Sequence, residues 1–94
     1  MIRLLIVDDH PAFRRGLELM LSDVDDIEVV AQAASGEEAV ELAAQATPDV
    51  VLMDLRMPGL PGNRMAARLV ALDPALAGRV LILTGDALAA EVED

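Results

Sequence analysis

Four short apolar runs recur along the chain, alternating with longer amphipathic stretches, and three of the four stop at polar side chains. Ile2 to Val7 ends at Asp8-Asp9, Val50 to Met53 ends at Asp54, and Arg79 to Leu83 ends at Thr84; the fourth run is Ile27 to Ala33. This alternation predicts an α/β fold in which parallel strands are joined by crossover helices. In an open parallel sheet, ligands bind beyond the carboxyl ends of the strands, near the point where strand order reverses. Asp8, Asp9, Asp54 and Thr84 are therefore expected to converge.

The intervening stretches read as helices. The first is predicted over Pro11 to Ser22, since proline is tolerated in a first turn whose N–H groups have no partner. Phe13, Leu17, Met20 and Leu21 share one face of a 3.6-residue period and Arg14, Arg15 and Glu18 lie away from it. The second is predicted over Gly36 to Ala46, with Ser35 as its cap and Glu37 and Glu38 at the positive end of the dipole. Met57 to Gly62 carries two prolines and two glycines and is read as a loop, followed by a third helix from about Asn63 to Leu72. Ala87 to Asp94 reads as the opening of a fourth.

Composition excludes several function classes. The 94 residues allow one domain, here 1–94, with a real but small core. Seventeen acids against seven basic residues give a formal charge of −10, and Phe13 is the only aromatic, so neither phosphate backbones nor stacked bases are expected as direct partners. Without cysteine there is no disulfide or thiolate metal site. The N-terminal apolar run is too short for a signal-peptide core, so the expectation is a soluble, cytoplasmic chain without membrane partners.

Three carboxylates meeting at strand ends repel one another unless a cation joins them. Oxygen donors point to Mg²⁺, which takes one or two carboxylates and completes its shell with water and phosphate oxygens. A carboxylate beside such an ion can act as a nucleophile toward a phosphoryl group, and Asp54, on the central strand, is the candidate. Thr84 would offer its hydroxyl to a phosphoryl oxygen.

Ile6-Val7-Asp8-Asp9-His10-Pro11, Val51 to Pro58 with Gly62, and Leu81 to Gly85 resemble, in order and spacing, the CheY-like receiver domains of bacterial response regulators, across essentially the whole chain. The resemblance implies a flavodoxin-like, three-layer sheet in the order 2-1-3-4-5 and Mg²⁺ dependence. It implies phosphotransfer from a sensor histidine kinase to Asp54 and a conformational switch, with no enzymatic activity beyond self-phosphorylation and autodephosphorylation. Asp9 and Asp54 would ligate Mg²⁺ directly, Asp8 through water, the carbonyl of Arg56 would be a further ligand, and Thr84 would contact phosphate. His10-Pro11 and Arg15-Gly16-Leu17 look like the subfamily that precedes a LuxR-type helix-turn-helix, so DNA would be reached only through an output domain not present in this chain. Thr84-Gly85-Asp86 is equally reminiscent of receivers fused to sensor kinases.

The sequence departs from the family in one respect. Receivers carry a lysine at the end of a fifth strand and an aromatic before it, whereas all seven basic residues here are arginine and no fifth strand or helix is present. The reading is a receiver incomplete at its C-terminus. Ending there would expose the fourth strand as an edge and predicts homodimers, swapping or aggregation. The missing lysine also motivates the alternative of a receiver-like interaction module that works without phosphorylation. A third class, aspartyl-phosphate phosphatases, places a second acid two residues after the nucleophile, where this chain has Arg56. His10 reads as a capping or surface residue without a role, Arg56 and Asp86 as a surface ion pair, Asp23, Asp25 and Asp26 as solvated charges, and Met20, Met53, Met57 and Met65 as core filler.

Overall fold

The computed structural model describes residues 1–54 and 62–83. Its elements are β1 (Ile2–Val7), α1 (Pro11–Leu21), β2 (Ile27–Ala33), α2 (Gly36–Ala46), β3 (Val50–Asp54), α3 (Gly62–Leu72), a single 3-10 turn over Pro74–Leu76, and β4 (Val80–Leu83). The strands form one parallel sheet in the order β2-β1-β3-β4. This is the expected order as far as the described residues reach. The fourth helix predicted at 87–94 lies outside them.

The chain leaves β1 toward β2 on one side and returns past β1 to β3 on the other. Right-handed crossovers then place α1 on one face and α2 and α3 on the opposite one. Alternation along the strands divides the apolar side chains accordingly. Leu5 and Val7 of β1 and Val51 and Met53 of β3 join Ala33, Ala39, Ala43, Met65, Leu69 and Leu76 in one buried cluster under α2 and α3. Leu4 and Ile6 are also buried but stand outside that cluster, on the other face.

Among the described residues, that second face is only partly covered. None of the residues of α1 is fully buried. Only half of the apolar stripe predicted for this helix faces inward: Leu17 and Leu21 are half-buried, whereas Phe13 is 46% and Met20 70% exposed. Around the helix, Leu17 and Leu21 point toward the sheet beside Arg14, and Met20 falls on the far shoulder of the stripe. Met20 is thus not core filler, while Met53 and Met65 are, at 1% and 0% exposure. Met57 lies outside the described residues.

Local chemistry explains the element ends. The Ser35 hydroxyl accepts from Glu38 N–H at 3.2 Å, and the Glu38 carboxylate reaches back to Ala34 N–H at 2.7 Å, a reciprocal cap for α2. At its other end, α2 stops on Thr47 in the left-handed region, φ 45°. The Arg3 guanidinium donates to the Ala46 carbonyl at 2.6 Å, favourable at the negative end of a helix. Arg3 N–H also donates to the Asp49 carboxylate at 2.9 Å and Asp49 N–H to the Arg3 carbonyl at 2.8 Å, which sets where β3 begins beside β1. In β2, Leu4 pairs with Val29 and Leu5 with Ala31, leaving Val30 as a bulge. The turn over Pro74–Leu76, not anticipated from sequence, is started by the Asp73 carboxylate accepting from Ala75 N–H at 3.1 Å and buries Leu76 to 1%.

Candidate functional site

The strand order reverses between β1 and β3, because β1 connects outward to β2 and the chain resumes on the opposite side at β3. The crevice of an open parallel sheet lies there. Val7 pairs with Met53, so Asp8 and Asp54, the next residues along, end side by side. One ligand atom from each of Asp8, Asp9, Asp54 and His10 lies within 4.8 Å of all the others. The structure therefore brings together three of the residues selected from sequence and adds a fourth, His10. Arg56 and Thr84 lie outside the described residues, so their placement and the expected Arg56–Asp86 pair do not enter the geometry.

The loop from Asp8 to Pro11 is held on three sides. Asp8 N–H donates to the Ala33 carbonyl at 3.0 Å, carrying the β1–β2 ladder one residue beyond the strand. Asp8 is 2% exposed, and its Oδ1 accepts from His10 N–H at 2.6 Å. Its backbone carbonyl accepts from the guanidinium of Arg14. Arg14 was expected on the solvent side of α1, but it is half-buried and turned to the strand end. Pro11 disfavours helical geometry at His10, which sits extended at φ −102°, ψ 105° as the N-cap of α1. His10 makes no side-chain capping bond; its ring turns back over the acids instead.

His10 Nδ1 is 2.9 Å from Asp8 Oδ1, with which it hydrogen bonds, and 2.9 Å from Asp9 Oδ1. The hydrogen bond to Asp8 raises the imidazole above its ordinary value of 6.5, and the charges of Asp9, Asp8 and Asp54 act in the same direction against a smaller opposing effect of desolvation. A single N–H cannot point along both contacts, and Asp9 Oδ1, although close, is buried without a hydrogen-bond partner among the described residues. Buried polar oxygens are seldom left so.

That oxygen, with the donor set around it, meets the requirement for a divalent cation: carboxylate oxygens on rigid strand ends, one of them aimed inward and not hydrogen-bonded. Asp8, Asp9 and Asp54 could hold such an ion. In sequence His10 reads as a surface residue, as a lone histidine in a loop usually is. Its position directly after two acids and before a proline was the available signal. No helix among the described residues is long and apolar enough to cross a membrane.

Residues 4–94 match the family described as response regulator receiver domain. The chain is 49% identical over 74 residues, 79% of its own length and 35% of the relative's, to the response regulator GacA of Pseudomonas viridiflava. It is 38% identical over 81 residues, 86% of its length and 37% of the relative's, to the nitrate/nitrite response regulator protein NarL of Escherichia coli strain K12. A two-component response regulator of the LuxR family from Aurantimonas sp. SI85-9A1 superposes with a TM-score of 0.81 at 36% identity, covering 99% of this chain and 67% of that one. The chain spans just over a third of the length of these curated relatives.

Proposed function

This chain belongs to the response regulator receiver domain family, and from that premise we propose that Asp54 accepts a phosphoryl group from a sensor histidine kinase. The observation that carries the reading is the gathering of Asp54, at the end of a central strand, with Asp8 and Asp9 inside one 4.8 Å cluster. Asp8, Asp9 and Asp54 would hold Mg²⁺, with the Arg56 carbonyl as a further ligand. When bound, the ion supplies neutralisation of the charge on the phosphoryl oxygens.

The protein's own groups do the rest. An Asp54 carboxylate oxygen forms the new bond to phosphorus as the bond from phosphorus to the donor imidazole nitrogen breaks, and the electron pair leaves with that nitrogen. The product is an acyl phosphate. Thr84 donates its hydroxyl to a phosphoryl oxygen, a contact made only in the modified state, which gives the switch its sensor. Transcriptional output through a DNA-binding domain is the reading that the LuxR-family likeness and the greater length of the relatives support.

The test is incubation with radiolabelled acetyl phosphate and Mg²⁺. Label is expected on the natural protein, absent from Asp54→Asn, and not taken up when Mg²⁺ is chelated beforehand. Failure of the full-length protein to take up Asp54-dependent label would leave the phosphorylation-independent module as the better description.

A further inference from the structure

We propose that His10 is itself a ligand of the cation held by Asp8, Asp9 and Asp54, coordinating through Nδ1, and that it shifts the site's preference from Mg²⁺ toward dications that accept imidazole, such as Mn²⁺. The inference rests on the metal-binding part of the proposed function and adds a residue and a selectivity to it.

Geometry carries the argument. Donors bound at 2.0–2.1 Å in neighbouring positions of an octahedral shell lie about 2.9 Å from each other. His10 Nδ1 stands 2.9 Å from Asp8 Oδ1 and 2.9 Å from Asp9 Oδ1. In the metal-free protein the hydrogen on Nδ1 serves the first contact and the charge of the ring the second; an ion would take that hydrogen's place, with the Nδ1 lone pair on the side turned to both oxygens. The second contact joins a ring nitrogen to a buried oxygen with no hydrogen-bond partner among the described residues, an arrangement that a cation shared by the two atoms would satisfy. The backbone supports the placement: Pro11 holds His10 extended, and His10 N–H is anchored on Asp8 at 2.6 Å, so the main chain at His10 is fixed beside the acids over which its ring turns. Carboxylate oxygens alone suit Mg²⁺, whereas an added imidazole nitrogen favours first-row transition ions over it.

The experiment measures Mg²⁺ and Mn²⁺ affinities by calorimetry on the natural protein, His10→Ala and Asp9→Asn, at a pH above the His10 midpoint that ring-proton NMR reports with chelator, so that the imidazole is neutral. Pulsed EPR of bound Mn²⁺ is recorded alongside. His10→Ala is expected to weaken Mn²⁺ binding about tenfold to a hundredfold, by analogy with the loss of supporting groups in metal sites, and to change Mg²⁺ affinity less than about threefold. Nitrogen coupling from a directly bound imidazole is expected on Mn²⁺ in the natural protein and not in His10→Ala. Equal losses for both ions in His10→Ala, or no nitrogen coupling in the natural protein, would overturn the assignment of His10 while leaving the acidic site standing. Absence of divalent binding to the natural protein would overturn both; where it binds, Asp9→Asn is expected to weaken both ions together, unlike His10→Ala. His10 is largely exposed, so loss of fold is not expected in its variant.

Discussion

The guanidinium of Arg14, one turn into α1, donates to the backbone carbonyl of Asp8, so the first helix grips the strand end that presents the acidic cluster. A charge-assisted bond of this kind contributes about 1.5–3 kcal/mol at best, and less here because the contact is partly solvated. Its value lies in position. Arg14→Ala is expected to weaken Mg²⁺ binding about threefold to tenfold while lowering unfolding stability by only about 1 kcal/mol. Titration calorimetry beside urea unfolding checks both; an equal affinity in the variant would show that the strand end holds its shape alone.

The pH response of the metal-free protein has a defined sign. In the folded state the His10 imidazole titrates above 6.5, chiefly through its hydrogen bond to Asp8. Its contribution to stability is therefore fully present below 6.5 and is lost as pH rises through the raised folded value. With His10 the only histidine, its ring proton signal in NMR, recorded with chelator, reports the midpoint directly. Asp8→Asn should move that midpoint back toward 6.5. A natural-protein midpoint at or below the ordinary value would contradict the contact.

Thr47 occupies the left-handed region at φ 45°, where a β-branched side chain is strained and glycine is not. Thr47→Gly is expected to raise stability by about 1 kcal/mol. Chemical denaturation of the variant checks this, and a drop would mean that the Thr47 hydroxyl bond to the Ala46 carbonyl, 2.8 Å, outweighs the strain.

The two faces of the sheet should respond differently to truncation. Leu69 is fully buried at 0% exposure, so Leu69→Ala should cost about 2–5 kcal/mol, enough to unfold much of so small a domain. Met20, 70% exposed, should tolerate alanine within about 0.5 kcal/mol. Urea midpoints for the pair distinguish this packing from one in which the α1 stripe is core.

These contrasts mark where sequence reading succeeds. Apolar runs that stop at acids locate strand ends, and the crossover order then brings Asp8 and Asp54 together without further information. A helical period identifies a stripe such as Phe13, Leu17, Met20 and Leu21 but not how far it is rotated about the helix axis, which is settled by the sheet beneath. Arg14 was misplaced for the same reason. His10 escapes a sequence reading because a lone histidine in a loop gives no sign of which way its ring turns, and here it turns back over Asp8 and Asp9. The turn over Pro74–Leu76 has too few residues to show any period.

The unpaired Val30 divides β2 into two separately registered halves, Ile27 to Val29 along Ile2 to Leu4, and Ala31 to Ala33 along Leu5 to Val7. Slack is thereby stored in the middle of an outer strand. A residue gained or lost in the turn at 22–26 can be taken up there, while the Ala33 carbonyl stays in step with Asp8. The corner that gathers the acids is insulated from length changes on the opposite rim of the molecule.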